Sequence, residues 1–298
     1  METAHLSSTR IAASIARNGS ARWVTTNTIT RCSATRASNC CRRTRPTNGS
    51  WILIQKTAEK YNNEDNNAAS LMATMASSII PTADELRLRP LDVRALLDAL
   101  EEGRLLPGSG LETDAVAMVG HSWGATTTLQ VAGLRTTDVK LIERCQNLRD
   151  PERNLSWVLQ CSWLKAAADG SLGDPRVKAA VAVSPPLRLL FDPGSGAELT
   201  AKVLLVSGSR DWLVPPGPEA VEPLREGEPL ARGHRLVLAS GGGHFNLRAP
   251  AGAVDPPVLA PLIEAWINQQ LLPEAAFRFD AGGWGSDRLP LVDVTPRL

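Results

Sequence analysis

No apolar run in this 298-residue chain is long enough to span a bilayer, and no hydrophobic core of a signal peptide is readable. No Cys/His spacing resembles a metal site, and no Gly-rich phosphate loop is present, so neither a metal nor another cofactor is expected. There is no internal repeat. Residues 1–50 contain no lysine and a single acid, Glu2, against eight Arg, seven Ser and nine Thr, which gives that segment a net charge of +7. Residues 51–298 hold 24 basic and 30 acidic side chains, so the formal +1 of the whole chain hides a basic segment on a body of −6. Three readings of the segment stay open: an organellar transit peptide, a disordered basic arm, or a stretch joined by a shifted start or frame. Histidine is also scarce. The chain has four (His5, His121, His234 and His244), which leaves few candidates for acid–base chemistry near neutral pH.

What is present centres on Gly120-His121-Ser122-Trp123-Gly124, a Gly-x-Ser-x-Gly pentapeptide. It follows the apolar run Ala115–Val119 and precedes a helical stretch from Ala125 to Ala132. A buried strand that breaks at such a pentapeptide and continues as a helix is the nucleophile elbow of α/β-hydrolases. The turn is tight enough that side chains two residues either side of the serine would collide, hence glycine at both places. Ser122 is then presented above the sheet at a helix N-terminus, where the Trp123 N–H is the expected donor to an oxyanion.

A serine hydroxyl needs a base, and the base an orienting acid. The elbow predicts the chain order Ser, Asp or Glu, His. His5 lies in the basic segment. His121 sits inside the elbow and should point away from the Ser122 hydroxyl. His234 opens the apolar run Arg235–Ala239 and reads as a strand-edge residue. His244 follows that run in the loop Ser240-Gly241-Gly242-Gly243-His244-Phe245, and it is the candidate base. Lys202–Ser209 reads as a buried parallel strand running into a turn, and Asp211 comes next, before Trp212-Leu213-Val214. Asp211 is therefore the candidate acid. Asp192 competes, but Pro-Gly-rich sequence surrounds it and no core strand ends there. Trp123, Trp212 and Phe245 neighbour these residues, and Trp212 and Phe245 are the candidate substrate-binding side chains.

From about Ser78 to Leu271 the chain resembles the bacterial α/β-hydrolases known as predicted dienelactone hydrolases. It is also similar to platelet-activating-factor acetylhydrolase and to polyester-degrading cutinase-like esterases. The elbow, the stretches Arg89–Leu100 and Asp174–Ala182, the turn at Asp211 and Gly243-His244-Phe245 carry the resemblance. It implies an α/β-hydrolase fold, with a mostly parallel sheet flanked by helices, and cleavage of a small-molecule carboxylic ester without a cofactor. True dienelactone hydrolases carry Cys at the elbow, so Ser122 argues against that substrate. The alternatives are a truncated non-catalytic relic or binding module, and an acyltransferase of the same fold.

The chain departs from the family at its front. Such hydrolases carry a His-Gly or similar segment after the third strand, which gives the second oxyanion donor. None is found before residue 110, where Trp51-Ile52-Leu53-Ile54 is the sole strand-like run. The N-terminal strands are thus expected to be missing or divergent. The shifted-start reading of the basic segment is preferred, because that front should lie there.

The expected organisation is a basic, disordered segment and linker over 1–77 and a catalytic domain over 78–271. An insertion like a cap falls at about 134–176, and a tail without a period fills 272–298. Within the domain, 81–103 reads as a helix with Leu88, Leu91, Ala95, Leu96 and Leu100 on roughly one face, and Pro90 as its first turn. Residues 257–271 read as a closing helix. The insertion holds Cys145 and Cys161, and the resemblance suggests a disulfide between them that staples a cap beside the site. Such a bond favours an oxidising, exported setting, against the lack of a readable signal peptide. No nucleic-acid partner is expected, and the oligomeric state is open.

Overall fold

The structure is a computed structural model. It describes residues 83–105, 107, 112–163, 172–191, 193–226, 232–247, 258–285 and 287–298, with the backbone of strands at 9–13, 24–25 and 52–56. The strands are β1 (Thr9–Ala13), β2 (Val24–Thr25), β3 (Ile52–Lys56), β4 (Val116–His121), β5 (Val177–Val183), β6 (Lys202–Gly208), β7 (Arg235–Ala239) and β8 (Leu291–Asp293). They form one eight-stranded sheet in the order β2-β1-β3-β4-β5-β6-β7-β8. The five strands β3 to β7 run parallel, and β1, β2 and β8 add antiparallel edges.

Strands β4, β5 and β6 are almost wholly buried, as their unbroken Val, Ala and Leu runs require of a parallel sheet covered on both faces. Alternation divides their side chains between two cores. On one face Val116, Met118, Ala182 and Leu205 meet helix α1 (Ala83–Glu101) and helix α2 (Trp123–Val131). On the other, Ala117, Val119, Val181 and Val206 meet the closing helix, Ala260–Leu271, through Leu262, Trp266 and Ile267. The fold is a mixed α/β layer structure with helices on both sides of a mostly parallel sheet.

Helix α1 occupies most of the expected range, but its buried face differs from the expected one. Val93, Leu96, Leu97 and Leu100 point inward, whereas Leu88 and Leu91 are 48% and 39% exposed and Ala95 also faces out. A leucine-rich helix offers two overlapping stripes at helical spacing, and the sheet takes the one on Val93. Pro90 lies inside the helix and not in its first turn. Arg176 ties the far end of α1 to the start of β5, reaching Asp98, Glu101 and Asp174 at 2.6 Å each.

The insertion after α2 carries helix α3 (Val139–Gln146), the short helix α4 (Leu155–Gln160) and a tight turn over Cys161–Trp163. Cys145 and Cys161 are joined in a disulfide, with Cα atoms 5.6 Å apart. The Asn154 side chain caps α4 by accepting from the Trp157 N–H at 3.0 Å. Buried Glu219 then holds the insertion to the body: it accepts from Gln160 Nε2 at 2.9 Å and from the Leu187 and Arg188 N–H groups at 2.7 and 2.9 Å. Burial pushes its carboxyl pKa up, against the pull of those donors.

Both ends of the chain add strands to the sheet. The N-terminal segment supplies three strands to the sheet, with β3 parallel beside β4 from Ile52↔Met118 to Gln55↔His121. The stretch after 271, which shows no period, packs through irregular contacts. Phe279 meets Trp266 edge-on at 5.3 Å and stacks on Trp284 at 5.1 Å. Strand β8 then covers the outer edge of β7. The polar stretch 61–67 lies outside the described residues, as do Cys32, Cys40 and Cys41.

Candidate active site

The site lies where β4, β6 and β7 end. At the end of β4 a Cβ on Gly120 would come within 2.2 Å of the Gly124 carbonyl oxygen, so this turn closes only with glycine. Ser122 sits at φ 57°, ψ −126°, a conformation an L-residue holds only when its surroundings impose it. Here its N–H donates to the Val183 carbonyl at 2.8 Å, and its own carbonyl accepts from Ala125 at 2.8 Å as α2 begins. The side chain is left partly exposed above the sheet.

The loops after β6 and β7 are laced to each other. Arg210 N–H donates to the Gly242 carbonyl at 2.8 Å, Ser209 N–H to the Ala239 carbonyl at 2.9 Å, and Gly241 N–H to Ser209 Oγ at 2.8 Å. A Cβ on Gly208 would lie 2.3 Å from the Gly242 oxygen, so the two backbones touch at that point. This lacing carries Asp211 and His244 to one another across 33 residues of sequence.

Asp211, His244 and Ser122 form one hydrogen-bonded line. Asp211 Oδ2 is 2.9 Å from His244 Nδ1, and His244 Nε2 is 3.0 Å from Ser122 Oγ. The second Asp211 oxygen accepts from the Leu213 and Val214 N–H groups at 3.1 and 2.8 Å. Burial by itself would raise the Asp211 pKa; the hydrogen bond and charge of His244 outweigh it, with help from the Val214 N–H and the nearby Ser184 hydroxyl, and the net shift is downward. An ionised carboxylate at Nδ1 fixes the proton there and leaves Nε2 as the acceptor facing the serine. The arrangement can take a proton from the hydroxyl and return it to a leaving group.

Sequence reasoning had set His121 aside. Its Nε2 is 2.8 Å from the His244 carbonyl oxygen, and the two rings lie 4.8 Å apart. Because a carbonyl can only accept, His121 Nε2 carries the hydrogen. A polar residue at the last position of a fully buried strand was the available signal. Ser184 was also missed: it is fully buried at φ 48°, just past β5 and beside Asp211. His234 is a strand-edge residue as expected, and its Nδ1 accepts from the Val203 N–H at 3.1 Å.

The aromatic candidates divide. The Trp123 ring is 2% exposed and stacks on Trp163 of the insertion at 5.6 Å, so the ring belongs to the core. Trp212 and Phe245 are 67% and 47% exposed, and Phe245 meets the His244 ring edge-on at 5.1 Å. Asp192 and His5 lie outside the described residues. Among the described residues no cluster of three or more His, Cys, Asp or Glu could hold a metal ion, and no helix is long and apolar enough to cross a membrane.

No family model matches the chain, and no curated protein does. Among solved structures, the crystal structure of esterase PE8 is similar at 22% identity over 63% of this chain, with a TM-score of 0.28. The chain spans 61% of the length of that structure.

Proposed function

We propose that the protein is a serine hydrolase of the α/β-hydrolase class that cleaves carboxylic esters. The observation that carries the reading is the unbroken line from Asp211 through His244 to Ser122, on a strand-turn-helix with strained serine geometry. His244 takes the Ser122 proton as Oγ attacks the ester carbonyl. Charge on the tetrahedral oxygen is met at the N-terminus of α2, where the Trp123 N–H is the proposed donor. His244 then protonates the leaving alcohol, and the C–O bond of the ester breaks to leave an acyl-Ser122 ester. Water, deprotonated by the same ring, attacks that ester, releases the acid and restores the serine. Asp211 stays ionised and stabilises the imidazolium that forms twice in the cycle. The exposed rings of Trp212 and Phe245, each one residue past the acid and the base in sequence, are the apolar surface assigned to the substrate in this reading.

The N-terminal basic segment, a catalytic body over 78–271 and an exported setting belong to the same proposal, the last supported by the Cys145–Cys161 disulfide.

The test is hydrolysis of short p-nitrophenyl esters together with labelling by a fluorophosphonate probe. Wild type is expected to do both. Ser122→Ala should do neither while keeping an unchanged circular dichroism spectrum and Tm. Undiminished hydrolysis in that variant would sink the reading, and so would a wild-type chain that fails to label.

A further inference from the structure

Among the described residues other than glycine, two stand at positive φ: Ser122 and Ser184. Ser184 follows β5 directly, at φ 48°, and is fully buried. Its backbone lies between the strands that carry the nucleophile and the acid. The Ser122 N–H donates to the Val183 carbonyl at 2.8 Å, and the Ser184 N–H donates to the Val206 carbonyl of β6 at 2.7 Å. Nothing in that backbone calls for a side chain. Glycine holds such a φ without steric cost, and serine does not. What serine adds at this position is one hydroxyl, and strain borne by a buried polar residue points to a task for its side chain.

That hydroxyl is unspent. Ser184 Oγ is buried and makes no well-formed hydrogen bond. The acceptor beside it is also incomplete. Asp211 is 3% exposed; its Oδ2 faces His244 Nδ1, and its Oδ1 accepts from the Leu213 and Val214 N–H groups. An ionised carboxylate offers about four acceptor sites, so these three donors leave one open in a place poor in water. The Ser184 hydroxyl stands near enough to help hold the Asp211 carboxyl below the ordinary carboxylate range. Its hydrogen turns about the C–O bond to suit an acceptor. Ser207 competes for it: it lies opposite Ser184 on β6, one pair beyond Val183↔Val206, and its Oγ is also buried without a partner. Ser207 is neutral, however, and a charged acceptor forms roughly twice as strong a hydrogen bond.

We propose that Ser184 is a positioning residue: its hydroxyl donates to the Asp211 carboxylate, fills the open acceptor site and fixes the rotation in which Oδ2 meets His244 Nδ1. The strained backbone at the end of β5 is what aims the hydroxyl there. Ser184 touches neither substrate nor the serine; it acts through Asp211. The contact stands without the ester-cleaving reading, and its effect on turnover rests on that reading.

The experiment compares Ser184→Ala and Ser184→Gly in the full chain with Ser207→Ala, which removes an equally buried hydroxyl from ordinary strand backbone. Both Ser184 variants should lower kcat on p-nitrophenyl esters about 5- to 10-fold with KM nearly unchanged, and Ser207→Ala should change neither. Ser184→Gly relieves the positive φ, so it keeps the test decisive if Ser184→Ala proves unstable. In an Asp211→Asn background, Ser184→Ala should cost less than about twofold, because the hydroxyl acts through that carboxylate. The proton resonance of His244 Nδ1–H, the hydrogen that Asp211 holds, should move in Ser184→Ala and stay in place in Ser207→Ala. This last readout needs no ester turnover. If wild type hydrolyses no ester, the ester-cleaving reading fails, and the resonance alone decides the contact. The proposal is overturned by an unmoved resonance or by unchanged kcat in folded Ser184→Ala or Ser184→Gly protein. An equal kcat loss in Ser207→Ala, or an undiminished cost of Ser184→Ala in the Asp211→Asn background, also overturns it.

Discussion

His234 and His121 are both buried, and their settings ask opposite things of the imidazole. At His234 the charged form is disfavoured, because burial strips its water and Lys202 and Arg232 repel a proton. The folded pKa falls to about 4 from 6.5. As pH drops from about 6.5 to about 4, the unfolded chain takes up this proton and the folded chain does not. Stability is therefore fully present above the unfolded pKa and is lost across that window, by on the order of 3 kcal/mol. Asp211 and Asp174 carry lowered pKa values, so their losses begin as pH falls through the ordinary carboxylate range and overlap only the acid end of that window, equally in wild type and in a His234 variant. Glu219, with a raised pKa, acts the other way and gains as pH falls. Urea unfolding at pH 7.0 and 4.5 should show the loss in wild type. His234→Gln, which still offers an acceptor to Val203, should have a visibly smaller difference between the two pH values. An identical pH slope in the variant would refute the assignment. His121, by contrast, acts through the hydrogen it gives to the His244 carbonyl. It is a positioning residue, so His121→Ala should lower kcat on p-nitrophenyl esters by about 5- to 10-fold, with KM nearly unchanged. His121→Gln should recover part of the loss. A change confined to KM, or equal loss in both variants with a lowered Tm, would show that the contact is only structural.

The element that decides most of the site is the turn between β4 and α2. Gly120→Ala pushes a methyl into the Gly124 backbone, where a carbonyl oxygen stands 2.2 Å away and nothing flexible can yield. A destabilisation of about 3 kcal/mol is expected, read as a drop in the urea midpoint. Gly194→Ala, with nothing within 4 Å and no unusual φ, is the control and should be neutral. Equal behaviour of the two variants would mean that the turn is looser than its geometry. This turn was legible in sequence because its requirement is steric and local: two glycines, four residues apart, after an apolar run. Asp211 and His244 were legible for a related reason, since each follows a strand whose apolar run is unmistakable. The buried face of α1 was not. Leu88, Leu91 and Ala95 fit a helical stripe as well as Val93, Leu96 and Leu97 do, and the choice between them lies with the sheet. Glu219 was equally hidden, because its partners Gln160 and Leu187 lie 59 and 32 residues away.

At the scale of the whole molecule, the sheet is bounded by segments that carry no periodic pattern. On the far side, β8 is three residues long, too short to show alternation, and what fixes it is a single buried side chain beyond its end. Thr295 is fully buried; its Oγ1 accepts from the Leu236 N–H at 2.6 Å, its own N–H donates to Asp293 Oδ1 at 2.9 Å, and the Val294 N–H reaches the Leu236 carbonyl at 2.9 Å. One hydroxyl thus completes the ladder of β7 where β8 has already ended. Thr295→Val keeps the shape and removes the acceptor, leaving a buried Leu236 N–H without a partner. The cost of such an orphan is about 1–3 kcal/mol. With the edge of β7 also weakened, hydrogen exchange at Leu236 should accelerate by roughly ten- to hundredfold, while exchange in β4, on the other side of the sheet, stays slow unless global unfolding sets it. Thr295→Ser, which restores the oxygen, should return most of the protection. If Thr295→Val leaves Leu236 as protected as in wild type, the C-terminal segment is not what closes this edge, and the order of β8 must come from the Phe279 and Trp284 cluster instead.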